Sequence, residues 1–148
     1  MKRFLVLLLL IKCSLALGAE IEIIGPCDRE PVFVDTLHAE SNDNVGSFSV
    51  RFFDYYEIEY IGSERGMNSI LGTATGMDAL EIISDQEMMA YGWCYSINGE
   101  SPEVYPDQVS LTDKDKVIWW YGYAHYLAGE WITQCTPSYE RQSDSICK

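Results

Sequence analysis

The chain has 148 residues, of which 23 are acidic and 10 are Lys or Arg, so its net charge at pH 7 is −13. Such an acidic surface repels nucleic-acid phosphates and anionic membranes, which excludes nucleic acid as an expected partner. Hydrophobic residues make up 47% of the chain, which is enough for a single domain with a buried core.

The first nineteen residues have the pattern of a secretory signal peptide. Lys2 and Arg3 form a basic start, residues 4–11 are an unbroken apolar run, and small residues follow at Gly18-Ala19. We therefore predict a signal peptide over residues 1–19, cleaved near Gly18-Ala19, and a secreted or periplasmic protein. The apolar run is shorter than the roughly 20 residues that a spanning helix needs, so no membrane span is expected.

Four cysteines lie beyond the predicted leader: Cys27, Cys94, Cys135 and Cys147. In an exported chain this number indicates two disulfides. Three pairings are possible. A short C-terminal loop favours Cys135 with Cys147, which leaves Cys27 with Cys94, but the sequence does not choose among the three. Since no C-x2-C element is present, no structural metal is predicted.

The first half of the chain is predicted to be mostly strand. Residues 21–24 and 31–37 are short apolar or β-rich runs and are each expected to form a strand. Residues 39–46 are polar and are expected to form a loop. Residues 47–61 are dense in Val, Phe, Tyr and Ile, and the pattern fits either one bent strand or two tightly joined strands.

The one main helix is predicted in the middle of the chain. Residues 62–75 are rich in glycine and indicate turns, with a brief strand near 67–71. Thr75 has the character of a helix N-cap, with Asp78 three residues later. Apolar residues then recur at a spacing close to one helical turn, so we predict a helix over residues 76–89.

Two long aromatic strands are predicted after this helix. The first covers residues 91–97 and ends at Asn98-Gly99, a strong hairpin-turn signal. A short strand over 108–112 leads into an acidic turn at 113–115. The second long strand covers residues 117–126.

The C-terminal part is predicted to close the sheet and then leave it. Residues 130–133 would return as a hairpin through Ala128-Gly129. From residue 136 onward the chain is polar and is expected to be a tail. The domain organisation predicted is thus a signal peptide, one domain over residues 20–135, and a polar C-terminal tail over residues 136–148.

The order of these motifs resembles a known family, the transcobalamin-C-terminal-like domain. This secreted module of largely unassigned function is similar to the small β-domain of transcobalamin and intrinsic factor. The residues that carry the resemblance form three groups, at the predicted helix start, the first aromatic strand, and the acidic turn with its following strand: Thr75, Asp78, Ala79 and Leu80; Trp93, Tyr95, Ile97, Asn98 and Gly99; Asp113, Asp115, Val117 and Trp119. Lys114 stands where the family has a turn glycine.

The resemblance implies an α+β fold with a β-grasp-like mixed sheet and one main helix packed across it. In the cobalamin carriers the small domain works with a large helical domain, for which this chain has no room. Cobalamin binding is therefore not predicted, and no cofactor is expected.

No motif of a known reaction centre is present, so the protein is expected not to be an enzyme. His38 and His125 are the only histidines, and neither has a predicted nucleophile or metal beside it. Acidic residues cluster at 54–59 and at 113–115. Paired carboxylates in a cleft can hydrolyse glycosides, so a small exported hydrolase is the first alternative.

The aromatic residues near the C-terminus suggest a binding role. If one face of the sheet is open, Trp120, Tyr126 and Trp131 would form a flat surface, here called the aromatic platform. The expected function is a secreted binding or interaction module whose ligand is an unidentified small molecule, glycan or protein. The second alternative is a structural or envelope-associated protein that pairs through an aromatic edge strand. The oligomeric state is left open.

Overall fold

The computed structural model describes residues 18–141 and 143–147. Apart from Gly18 and Ala19, the predicted signal peptide lies outside these residues. The described chain contains one α-helix, α1 (Val45–Tyr55), and eight strands. The strands are β1 (Ala19–Ile24), β2 (Pro31–Leu37), β3 (Tyr60–Ser63), β4 (Gly66–Ile70), β5 (Leu80–Ser84), β6 (Glu87–Ile97), β7 (Lys116–Leu127) and β8 (Glu130–Pro137).

The main sheet has six strands and is centred on β7. Strand β6 pairs antiparallel with one side of β7 along eleven positions, and β5 extends the sheet beyond β6. The other side of β7 is shared, because β1 runs parallel to its first part and β8 runs antiparallel to its second part. Strand β2 extends the sheet beyond β1, while β3 and β4 form a separate hairpin. The fold is therefore α+β, mostly a curled mixed sheet with a single helix.

Helix α1 overturns the prediction of one or two strands over residues 47–61. Asn44 caps it, since its side chain accepts a hydrogen bond from Ser47 N while the Ser47 hydroxyl accepts one from Asn44 N. Buried Phe48, Phe52 and Phe53 recur at helical spacing and face the sheet. The aromatic composition suggested a strand, but this 3–4 residue period is what decides the local structure.

The helix predicted over residues 76–89 is wrong. Thr75 makes no side-chain cap, and only Gly76–Ala79 forms a short 3₁₀ turn. The following residues enter β5, turn at 85–86, and continue as β6. A helix N-cap contributes only about 1 kcal/mol to stability. The pairing of β6 with β7 along eleven positions contributes more, so the segment is strand.

Other local predictions were mostly confirmed. The strands at 21–24, 31–37, 91–97 and 117–126 all occur, as does the brief strand near 67–71. Asn98 and Gly99 have φ of 52° and 84°, as a type I′ hairpin turn requires. Residues 108–112 do not form the predicted strand, and only Ser110 makes a single bridge, to Asn44.

The core lies between α1 and one face of the sheet. Ile21 and Ile23 of β1 and Val117 and Trp119 of β7 contact the buried face of the helix. The buried indole N–H of Trp119 donates to Ser49 Oγ at 2.9 Å. The helix is thus fixed to the central strand by packing and by one buried hydrogen bond.

Two disulfides close the structure, and they join Cys27 to Cys147 and Cys94 to Cys135. All four predicted cysteines are bonded, but the favoured pairing was wrong. The register places Cys94 of β6 opposite Trp120 of β7, and the Trp120 indole N–H donates to Cys135 O of β8, which brings the two cysteines together over β7. Sheet pairing, rather than closeness in sequence, therefore decides which thiols meet.

The C-terminal segment returns to the sheet after β8. Ser138 is buried, and its hydroxyl lies 2.8 Å from the carbonyl oxygens of both Pro26 and Tyr121, which share its single proton. Ile146 packs against a second cluster that contains Tyr91 and Tyr121. Among the described residues, the longest helix falls well short of what crossing a bilayer would require.

Candidate functional site

The main sheet has two faces with different surroundings. Successive side chains of a strand point to opposite faces, so the alternate residues Val117, Trp119 and Tyr121 all face the core. We call this the inner face. The opposite side, called the outer face, carries Trp120 and Tyr126 of β7 together with the residues that pair with them.

Two of the three platform residues are brought together. Tyr126 and Trp131 are register partners on β7 and β8. Their rings meet edge to face with centroids 5.3 Å apart, and Trp131 is 48% exposed. This pair presents aromatic surface to solvent at one end of the outer face.

Trp120 lies apart from this pair. Tyr126 lies six positions further along the strand, a distance of about 20 Å. Its indole N–H donates to Cys135 O at 3.0 Å, which ties the half-buried ring to a bulge in β8. The three residues therefore share one face without forming one continuous cluster, and the platform as a binding site stays a prediction.

Small residues occupy the outer face between Trp120 and Tyr126. Ala90 pairs with Ala124, and Gly92 pairs with Gly122. A hollow of about 200 Å³ lies over them, bordered by Cys94, Gln134 and Cys135. We call this hollow the outer trough.

The two glycines of the trough differ in what surrounds them. At Gly92 an added methyl group would meet no atom within 4 Å, so the surface there is open. At Gly122 it would lie 3.0 Å from Thr136 O and 3.2 Å from Trp120 Nε1, so the bulge and the ring cover that end. The trough is thus closed beside Trp120 and open towards Ala90 and Gly92.

The basic side chain on the outer face of β7 is paired. Lys116 Nζ lies 2.9 Å from Glu20 Oε1 and 2.5 Å from Glu22 Oε2, both on the neighbouring strand β1. A hydrogen bond to Glu22, which has the largest effect, and a second one to Glu20 raise the pKa of the Lys116 ammonium group. None of the described residues that line the outer trough is charged.

Among the acidic residues proposed for hydrolysis, Asp54 and Asp113 have side-chain partners in the fold. Asp54 accepts from Tyr60 OH at 3.1 Å, and Asp113 accepts from Ala39 N at 2.6 Å and pairs with His38 Nδ1 at 2.8 Å. His125 Nε2 lies 3.0 Å from Glu87 Oε1. Within residues 18–141 and 143–147, no group of three or more His, Cys, Asp or Glu is placed to hold a metal ion.

Sequence reasoning missed the small residues of the trough. Their signal is a repeated pattern, since Ala90 and Gly92 alternate on one strand as Gly122 and Ala124 do on the next. On β7 the pattern is also flanked by aromatic residues at 120 and 126. The pairing of the two strands was needed to show that all four small residues meet.

Comparison with known proteins gives one match. Residues 67–123 match a domain of unknown function, DUF4430, which covers less than half of the chain. The matched part runs from β4 to the middle of β7 and so includes Ala90, Gly92 and Gly122 of the trough floor. No curated protein and no solved structure is significantly similar to the chain.

Proposed function

We propose that the protein is an exported, non-catalytic binding module that holds a neutral ring-bearing ligand on its outer sheet face. The best candidate is a sugar ring of a glycan. The observation that carries this proposal is the arrangement on one exposed face of β7, where small residues lie between Trp120 and the Tyr126–Trp131 pair. Flat rings stack on such side chains, and a floor of glycine and alanine lets them approach the backbone.

Export is supported by the cysteines. Both disulfides would persist in an oxidising compartment, and their presence fits a secreted or periplasmic location. Ala19 is fully buried and pairs with Leu37 at the start of β1. Cleavage after Gly18 would therefore keep β1 complete, and the intact mass of the exported protein tests this.

A relationship to the transcobalamin-C-terminal-like family is part of the proposal. The match to DUF4430 supports it, because that family is associated with transcobalamin-like domains. The quoted motif residues Trp93, Tyr95 and Ile97 alternate along β6, and Asn98-Gly99 forms its turn. A β-grasp arrangement would suit the mixed sheet with one helix on its inner face, and an experimental structure compared with β-grasp domains would test that assignment.

Binding can be tested by titrating the protein with neutral trisaccharides such as cellotriose, maltotriose and chitotriose. We expect at least one to shift the indole signal of Trp131 in a ¹H–¹⁵N NMR spectrum in a saturable way. Trp131→Ala, in which binding is followed through the Trp120 indole signal instead, should weaken that binding up to about tenfold, because it removes the exposed stacking surface. Val34→Ala is the matched control, since Val34 is 48% exposed on β2, away from the trough.

Two results would contradict the proposal. If none of the sugars shifts Trp131, or Val34→Ala weakens binding as much as Trp131→Ala, the outer trough is not the site. If the recovered trisaccharide has been cleaved, the protein is a hydrolase and the non-catalytic part is wrong.

A further inference from the structure

A second concave site lies on the other side of the molecule from the outer trough. It is a cleft of about 330 Å³ between the turn after β4, the end of β1 and the C-terminal segment. The rings of Trp93 and Tyr121 line it, together with Ile70, Ile146, Thr73 and Ser145. Its volume is at the lower end of the range for small-molecule pockets.

The cleft carries no ionisable group that would favour an ion. Among the residues that the structure describes, none that lines the cleft is acidic, basic or histidine. Burial, with a smaller effect from Tyr91, raises the pKa of the Tyr121 phenol to about 12, so this group is neutral at physiological pH. An ionic ligand would lose its hydration in this cleft without gaining a charged partner.

Thr73 offers one directed hydrogen-bond donor. Its hydroxyl oxygen accepts from Trp93 Nε1 at 2.8 Å and from Ile70 N at 3.3 Å, which occupies both lone pairs. The hydroxyl proton is left to donate, and its nearest acceptor among the described residues is Ser69 Oγ at the long distance of 3.4 Å. A ligand acceptor in the cleft would make a shorter bond.

The backbone at the rim of the cleft has an energetically unfavourable conformation at Leu71. Leu71 has φ of 54°, in the left-handed region that a residue with a Cβ adopts at a cost of about 1–2 kcal/mol. Its amide is fixed by a 2.8 Å hydrogen bond to Glu59 O, and its side chain is 49% exposed. Strain of this kind concentrates at ligand sites, and here it places an apolar side chain at the entrance.

We propose that this cleft binds a small uncharged ring compound that carries a carbonyl or similar acceptor, which takes its hydrogen bond from Thr73. The ring packs between Trp93, Ile70 and Ile146. The walls of the cleft are held by the Cys27–Cys147 disulfide, since Pro26 and Ile146 each lie next to one of its cysteines. This cleft and the outer trough lie on opposite faces of the sheet, and Trp93 of β6 borders both.

The test uses three probes of similar shape on the disulfide-bonded protein: acetophenone, ethylbenzene and benzoate. In ¹H–¹⁵N NMR titrations, acetophenone should shift the Trp93 indole signal in a saturable way. Ethylbenzene, which has no acceptor, should bind about three- to tenfold more weakly, as expected for one lost hydrogen bond. Benzoate should bind most weakly because of its charge.

Substitutions at Thr73 make the test specific. Thr73→Val should remove the preference for acetophenone over ethylbenzene, while Thr73→Ser should keep it. Thr133→Val, at an exposed position on β8, is the matched control and should change nothing, as should Trp131→Ala on the outer face. If Thr73→Val does not fold, the Thr73→Ser variant and the three-probe series still test whether Thr73 donates a hydrogen bond to the ligand.

The inference is overturned if acetophenone causes no saturable shift of Trp93, or if benzoate binds as tightly as acetophenone. It is also overturned if Thr73→Val folds and keeps the preference. Trp131→Ala should affect glycan binding on the outer face but not acetophenone binding in the cleft. A negative result for the cleft can therefore be distinguished from a negative result for glycan binding.

Discussion

At the residue scale, one hydrogen bond joins the helix to the centre of the sheet. Ser49 and Trp119 are almost fully buried, and the Ser49 hydroxyl accepts the indole proton at 2.9 Å while donating to Val45 O at 2.6 Å. A buried polar group without a partner costs about 1–3 kcal/mol. Neither residue has another described side-chain partner that could replace this contact.

Ser49→Ala is therefore expected to lower the free energy of unfolding by about 1–3 kcal/mol, because it leaves the Trp119 N–H unpaired. Urea denaturation measures this loss. Ser101→Ala, an exposed serine with no side-chain hydrogen bond in the described chain, should change stability by less than about 0.5 kcal/mol.

A double-mutant cycle with Trp119→Phe separates the hydrogen bond from packing. Ser49→Ala should cost clearly less in the Trp119→Phe background, since no indole proton remains to be satisfied. Equal costs in both backgrounds would show that the bond contributes nothing.

At the element scale, the location of the helix was the largest error of sequence reasoning. Residues 45–55 are rich in Val and Phe, which have strand propensity, and yet their buried members recur every three or four positions. Residues 76–89 have a plausible N-cap but also two adjacent isoleucines, Ile82 and Ile83, that favour a strand. Local signals predicted the wrong secondary structure in both segments, because packing on the sheet decides whether each one is helix or strand.

Two turns at one end of the sheet are locked together by Asp115. Its carboxylate accepts from Asn98 Nδ2 at 2.7 Å and from the amide and hydroxyl of Thr112 at 2.7 and 2.8 Å. Partial burial acts to raise the pKa of the Asp115 carboxyl, but these hydrogen bonds outweigh it, so the pKa lies below its ordinary value. The ionised form thus stabilises the fold.

Asp115→Asn should lower the free energy of unfolding by about 1 kcal/mol at pH 7. Since the folded pKa is depressed, the stabilisation is complete above the unfolded pKa of about 3.9 and is lost as pH falls through the folded pKa. The difference between wild type and Asp115→Asn, measured by urea unfolding from pH 7 to pH 2, should therefore shrink only below about pH 4.

Asp78→Asn serves as the control for this pH dependence. Asp78 is exposed and makes no side-chain hydrogen bond in the described chain, so its substitution should leave the pH profile unchanged. A constant difference between wild type and Asp115→Asn down to pH 2 would contradict the role given to the carboxylate.

At the scale of the whole molecule, the two disulfides close loops of different length. Cys27 and Cys147 are 120 residues apart, and Cys94 and Cys135 are 41 apart. Restriction of the unfolded chain grows with loop length, so the chain-entropy model assigns them about 5 and about 4 kcal/mol. The loop closed by Cys27–Cys147 contains the loop closed by Cys94–Cys135. When one disulfide is removed and the other is kept, the difference between their two contributions to stability is therefore smaller.

The paired variant Cys27→Ala/Cys147→Ala should consequently lose more stability than Cys94→Ala/Cys135→Ala, by about 0.5–1 kcal/mol. Urea unfolding of both variants beside the wild type measures the two losses. A larger loss for the Cys94 and Cys135 variant would mean that contacts of the β8 bulge, rather than loop length, dominate.

Features that depend on near neighbours along the chain could be predicted from the sequence. These are the four bonded cysteines, the aromatic strands β6 and β7, the Asn98-Gly99 turn, and the α+β class with one helix. Turn chemistry and strand alternation act over a few residues, so they can be recognised without knowing what packs against them.

Only the tertiary structure decided which segment is the helix, which cysteines pair, and which side chains share a site. Ala90 and Gly92 meet Gly122 and Ala124 through strand register, and Trp93 meets Thr73 and Ile146 across segments distant in sequence. Such contacts depend on burial summed over the whole core, and that sum outweighs the preference of about 1 kcal/mol or less that any one residue has for helix or strand.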